Sequence, residues 1–276
     1  MFAQRQGSGF RIPPSLLVAV VMAGFALCKY YSTSSTNEIT HKTQHIAISP
    51  EQEIALGLQS APEMAQEMGG LSSNQEMSAV VKQVGQKVVR NSAASRTPYQ
   101  YDFHLLADQN TINAFALPGG QVFITEGLLM RLTTDGRSLN EDMLAGVLGH
   151  EIGHVVARHS AEKMAQMELA QGITGAVTIA TYDPSNPNTA YIAQSVANMI
   201  QLKYGRDQEL ESDNLGVRFM LEAGYEPENL IQVMEVLKQA AGPNRVPEFQ
   251  STHPDPENRQ EAIRAAIEQW RKELGK

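Results

Sequence analysis

The chain of 276 residues is 42% hydrophobic and 19% charged, a globular balance that excludes a disordered or fibrous protein and leaves ample material for a buried core. Its net charge is −8, from 22 Lys+Arg against 30 Asp+Glu, which argues against nucleic acid as a partner. A single cysteine, Cys28, excludes an intramolecular disulfide and any cysteine-based metal cluster.

The first element is apolar. Ile12 to Cys28 is a run of 17 uncharged residues, about 25 Å of helix at about 1.5 Å per residue, at the short end for a bilayer core. Lys29 can extend its amine outward, and Tyr30 and Tyr31 suit a membrane interface. Leu27, in Phe25-Ala26-Leu27-Cys28, is too large for a good signal-peptidase or lipoprotein site. Residues 1–31 are therefore expected to be an uncleaved signal anchor, with a cleaved signal or a buried soluble helix as alternatives. Arg5 and Arg11 precede the run and favour an internal N-terminus. The domain behind it would then face outside the cytoplasm, in the periplasm if the source is a Gram-negative bacterium. Ser32 to Asn37 is small and polar and reads as flexible, within a tether over residues 32–48.

Residues 49–276 read as one domain of class α+β, mostly helical. Ser49-Pro50-Glu51-Gln52 opens a helix, which Pro62 is expected to kink or divide and Gly69-Gly70 to end. A second helix begins at Ser73, with Met77, Val80, Val81, Val84 and Val88 on one stripe. Strands are expected over 100–107, Ile112 to Leu117 and Gln121 to Thr125, the last two joined at Pro118-Gly119-Gly120. From Asn140 the chain is helical, with breaks at 183–187, near Gly205, at Gly224, at 242–243 and at 254–256. The small sheet is expected beside the helix that begins near Asn140.

That helix carries His150-Glu151-Ile152-Gly153-His154. Residues four apart share a helix face, so the two imidazoles converge on one point, as tetrahedral zinc requires. Glu151 lies about 100° around the helix, beside a metal rather than on it, where it can take a proton from an activated water. His159 is five residues beyond His154, and continued helical geometry turns it away, so it is expected at the surface. A third ligand is expected from the acidic run Arg206 to Asp213, in which Glu209 and Asp213 face one way. One would ligate, the other would accept the free N–H of a ligand histidine. Spacing alone leaves Glu209 and Glu211 both open.

With these residues in place, the chain resembles the gluzincin zinc metallopeptidases typified by HtpX, the CAAX prenyl endopeptidase and BepA. Their His-Glu-x-x-His helix and later Glu-x-x-x-Asp match His150, Glu151, His154, Glu209 and Asp213. The resemblance spans about residues 50–270. It implies a zincin-like fold, one zinc per chain and Glu209 as third ligand. It also implies that Asn113, Ala114, Phe115 and Ala116 form an edge strand that holds substrate backbone, and that Gly127-Leu128-Leu129 starts a helix after the hairpin. Ser251-Thr252-His253-Pro254 and Arg259 resemble a C-terminal His-Pro motif near the zinc. His253 and Arg259 would support the transition state, or His253 would fill the fourth zinc position in a latent state; a helix-starting turn and a surface arginine are the plain alternative. HtpX and the CAAX enzyme carry several membrane helices, whereas 172–181 is too short to span, so a single-anchor member is expected. His41, His45 and His104 read as structural or exposed, and 164–204 as a lid, a dimer surface or a membrane-contacting hairpin.

Two functions follow as expectations. The first is a membrane-anchored zinc endopeptidase acting on extended or misfolded proteins in quality control, with Glu151 as general base. The second is a latent or non-proteolytic peptide-binding assembly factor whose zinc is structural. Glu151 favours the first, since a structural zinc needs no carboxylate there.

Overall fold

A computed structural model describes residues 13–133, 138–181, 205–240, Phe249, His253 and 258–276. The breaks read at 183–187, 242–243 and 254–256, and Ser251, Thr252 and Pro254 of the His-Pro motif, lie outside the described residues, as do 182–204 of the segment read as lid or hairpin. The described chain is mostly helical with two small sheets. It divides into two compact units, one of Met1–Ser35, Gln44–Ala47 and Lys163–Lys203, the other of Thr36–Thr43, Ile48–Glu162 and Tyr204–Lys276.

The smaller unit contains helix α1 (Pro14–Ser32), long and apolar enough to cross a membrane by length and composition. Its large side chains, Leu17, Val20, Val21 and Phe25 among them, are exposed. The part of α6 (His159–Thr181) beyond Glu162 runs antiparallel to it: Lys29 pairs with Glu168, Ala26 meets Gly172 and Met22 meets Gly175. Tyr30 stacks on His45 at 4.3 Å between ring centroids, which places His45 in a structural role. The stretch read as flexible contains strand β1 (Ser34–Thr36), which pairs with β2 (Thr43–His45). Local hydrogen bonding overrides the loop-like composition there: Asn37 Oδ1 accepts from the backbone N–H groups of Ile39 and Thr40.

In the larger unit, α2 (Pro50–Glu67) starts with a capping box between Ser49 and Gln52. It continues through Pro62 instead of dividing there; Leu58, whose carbonyl the proline frees, sits on an exposed stretch. Helix α3 (Gln75–Arg90) is capped by Asn74 and buries Val81, Val84 and Val88. Strands β3 (Asp102–Leu106), β4 (Ala114–Ala116) and β5 (Gln121–Thr125) form a sheet of order β3-β5-β4. β3 runs parallel and β4 antiparallel to the central β5. All five residues of β5 are buried because both faces are covered. Val122 and Ile124 face the main core, and Phe123 joins Leu106 and Ala65 in a second cluster that includes α2. At the β4–β5 turn, Gly119 (φ 82°) would place a Cβ 2.4 Å from the Ile54 Cα, so only glycine fits under α2. The short helix α4 (Glu126–Leu129) follows β5 directly, at the glycine read as a helix start.

Helix α5 (Glu141–Val156), capped by Asn140, runs through the middle of this unit, with Leu144, Leu148 and Ile152 fully buried. Each such side chain contributes about 1.5–3 kcal/mol of burial energy. Helices α7 (Gly205–Ala223), α8 (Glu228–Ala240) and α9 (Arg259–Leu274) complete the core.

Candidate metal centre

The site is built where α5 and α7 nearly touch. A Cβ on Gly153 would lie 2.6 Å from Ser212 Oγ, and one on Gly216 would lie 3.1 Å from the His150 backbone N. Small residues at this crossing let the helices close, and the Ser212 hydroxyl donates to the His150 carbonyl. Glu209 and Asp213, on consecutive turns of α7, are thereby carried into the α5 histidines, both nearly fully buried.

Ligand atoms of His150, His154, Glu209 and His253 all lie within 4.8 Å of one another. His150 Nε2 is 3.1 Å from His154 Nε2, 3.3 Å from Glu209 Oε2 and 3.3 Å from His253 Nδ1. Glu209 Oε1 is 3.4 Å from His154 Nε2 and 3.1 Å from His253 Nδ1. A tetrahedron around zinc with bonds of about 2.0 Å has edges of about 3.3 Å. Both the spacing and the chemistry of the donors, three imidazoles and a carboxylate, therefore fit a zinc ion. Glu209 lies in this cluster and Glu211 does not.

Asp213 stands behind the cluster. Its Oδ1 takes the His150 Nδ1 proton at 2.8 Å, and Arg259 donates to both carboxylate oxygens at 2.7 and 2.9 Å. Arg259 is thus buried on Asp213 rather than at the surface, and its Nη2 also lies 3.6 Å from Glu209 Oε2 in the cluster. Burial resists a charge on His150, but its hydrogen bonds to the Asp213 and Glu209 carboxylates outweigh it and raise the imidazole to about 9. Burial likewise opposes ionisation of Glu209 and Asp213; His150 and His253 hold the first carboxyl well below the usual range, and Arg259 and His150 lower the second. Burial together with the charge on His150 pushes His154 well below the ordinary histidine value.

Glu151 is buried, and its carboxyl is raised by desolvation. Its Oε1 has no hydrogen-bond partner among the described residues and lies 3.6 Å from His253 Nε2. On the sheet, β4 is an edge strand. Asn113 O accepts from Thr125 N and Leu117 N donates to Gln121 O, so 113, 115 and 117 face β5 and the backbone groups of Ala114 and Ala116 face away. The Ala114 side chain is in the core, and the Phe115 ring stacks on Phe123 at 4.9 Å.

His159 is the residue that helical extrapolation misplaced. It is buried, and its Nδ1 lies 2.8 Å from His154 Nδ1. Arg158 adopts φ 57°, which breaks the helical path and turns the chain back under His154. The left-handed residue is held by Glu53 Oε2 at 2.9 Å and the Ile48 carbonyl at 2.8 Å, with Tyr99 also donating to Glu53. Alternating charge and polarity in Arg158-His159-Ser160 gave no sign of this turn.

Residues 75–267, more than half of the chain, match Peptidase family M48. The chain belongs to this family of zinc-dependent metallopeptidases. Over 199 residues it is 29% identical to the beta-barrel assembly-enhancing protease of Escherichia coli (strain K12), covering 69% of this chain and 39% of that protein. It is 35% identical over 172 residues to the mitochondrial metalloendopeptidase OMA1 of Schizosaccharomyces pombe, covering 62% and 47%. The corresponding figures for the Bos taurus metalloendopeptidase OMA1 are 33% over 174 residues, 59% and 32%. The chain thus spans less than half the length of each of these relatives.

Proposed function

We propose that this chain is a membrane-anchored zinc endopeptidase that hydrolyses peptide bonds of extended or misfolded proteins. His150, His154 and Glu209 would hold the ion, which would supply Lewis acidity and activate water for attack. Asp213 fixes the His150 tautomer that leaves Nε2 free to ligate, and Arg259 holds Asp213 for that task. Ala114 and Ala116 offer backbone hydrogen bonds along the sheet edge, so a substrate adds as a strand with Asn113 and Phe115 flanking it. Glu151 accepts the proton of the attacking water and delivers it to the leaving amine.

The observation that carries this reading is the buried, unpartnered Glu151 oxygen beside the cluster, with its carboxyl raised toward the range a general base needs. Casein cleavage by the detergent-solubilised full chain tests it. Glu151→Gln should retain zinc and lose about 10²–10⁴-fold in rate; wild-type cleavage in that variant, or cleavage unaffected by a chelator, would sink the mechanism.

A second reading rests on His253. Its Nδ1 lies 3.3 Å from His150 Nε2 and 3.1 Å from Glu209 Oε1, so in this reading it would take a fourth metal position and would have to withdraw before a substrate carbonyl could enter. His253→Ala raises casein cleavage if the ring is a gate and lowers it if the ring supports the transition state.

The anchor reading extends to location. With the N-terminus inside, the catalytic domain faces outside the cytoplasm and meets exported proteins that have failed to fold. Protease added to intact spheroplasts should digest it; digestion only after lysis would reverse the orientation.

A further inference from the structure

We propose that His159, Glu211 and Lys42 form a positioning chain for the metal ligand His154, ending on the loop Asn37–Lys42 that follows the apolar helix in sequence. His154 turns Nε2 toward His150 and Glu209, so its outer nitrogen, Nδ1, is the one that meets His159 Nδ1 at 2.8 Å. A ligating Nε2 gives its lone pair to the metal, so Nδ1 carries the proton and donates it to His159. His159 Nδ1 is then the acceptor, and its Nε2 points to Glu211 Oε2 at 3.4 Å. The same oxygen takes Lys42 Nζ at 3.0 Å. Each proton position is dictated by the next group outward, ending in a carboxylate and an ammonium.

The loop is built to present Lys42. Asn37 N donates to the Lys42 carbonyl at 2.9 Å, closing the loop. The Asn37 side-chain amide donates at 2.8 Å to the carbonyl of Val156, at the end of α5, and Ile39 is buried in the main core. Lys42 and this loop precede residues 75–267, so the family match does not include them. Glu211, two residues from the ligand Glu209, gains a definite role: it is the carboxylate of this second chain.

The proposal rests on the reading of His154 as a zinc ligand, and the test separates the two. Zinc affinity of the full chain in detergent is measured by competition with a chromophoric chelator, alongside thermal unfolding of the zinc-free protein. Wild type that takes up no zinc would overturn the ligand reading and this chain with it. Given zinc-binding wild type, His159→Leu, which fills the space but cannot accept a proton, should weaken affinity about 10–100-fold. His159→Asn keeps an acceptor near the Nδ1 position and should recover part of that loss. Glu211→Gln should lose about 10-fold, near the lower end for such outer partners, and Lys42→Met less. The visible spectrum of the cobalt-substituted protein should shift in His159→Leu. Wild-type affinity and spectrum in His159→Leu, or equal losses in the Leu and Asn variants, would overturn the proposal. So would an affinity loss fully accounted for by zinc-free unfolding.

Discussion

His150 and His154 sit one turn apart on the same helix, yet their outer nitrogens are held in different ways. His150 donates directly to Asp213, a carboxylate clamped at both oxygens by Arg259 and buried with it. His154 reaches its carboxylate only through a second imidazole, and the closing cation is Lys42, whose side chain is 58% exposed. The first arm is rigid and dry, made from helices of the family core. The second is longer and wetter, and depends on a loop outside that core. The same task, fixing a tautomer, can thus be done with very different sensitivity to surroundings.

Glu209 belongs to neither arm but meets the inner nitrogens of both histidines, and its loss should have the largest effect. Glu209→Gln should abolish stoichiometric zinc by metal analysis, whereas Glu211→Gln only weakens it. The reverse pattern would exchange their roles.

Breaking the dry arm should come next. Asp213→Ala takes from buried Arg259 the carboxylate it bonds most closely, which costs up to about 3–5 kcal/mol of stability, and should weaken zinc about 10–100-fold. Urea unfolding of the zinc-free protein and chelator competition read the two effects separately. Unchanged values in both would reduce Asp213 to a bystander.

Acid should weaken both arms. The folded-state carboxyls of Asp213 and Glu211 are lower than ordinary: burial opposes ionisation, but Arg259 and His150 prevail at Asp213 and hydrogen bonds from His159 and Lys42 prevail at Glu211. Their contribution to stability is therefore present above the ordinary carboxylate range and lost as pH falls through the depressed folded values. Unfolding free energy of the zinc-free protein should decline steadily below about pH 4. A flat profile there would contradict the pairing.

The smallest expected effect distinguishes the arms most directly. The Lys42–Glu211 pair is partly exposed and should be worth at most about 1 kcal/mol. The zinc-affinity loss in Lys42→Met should shrink when measured at about 1 M salt, where the Debye length is about 3 Å. The Asp213 variant should be nearly indifferent to salt.

Much of this protein could be read from short-range pattern. An uncharged apolar run marked α1, a periodic stripe marked α3, and the turn residues Pro118-Gly119-Gly120 placed the β4–β5 hairpin, because helix and hairpin geometry repeat over a few residues. Spacing of four put His150 and His154 on one face for the same reason. The error at His159 came from extending that rule past its domain. Nothing in residues 157–160 marks a left-handed arginine, since Arg158 holds that backbone through Glu53 and Ile48, more than a hundred residues upstream. Pro62 within α2 and the paired strand in the supposed tether likewise depend on what lies around them.

By itself, then, the amino-acid order determined a mostly helical fold, a helix carrying two imidazoles with a carboxylate beside them, and an apolar helix at the N-terminus. Each of these depends on contacts within one or two turns. Tertiary structure decided what spacing had left open, that Glu209 and not Glu211 faces His150 and His154, and it brought His253 into the cluster and Arg259 onto Asp213. It also decided that Lys42 belongs to the support of His154. Those outcomes depend on how closely α5 and α7 approach at Gly153 and Gly216, and on where a distant loop lands. Distances of that kind arise only from packing across the whole core.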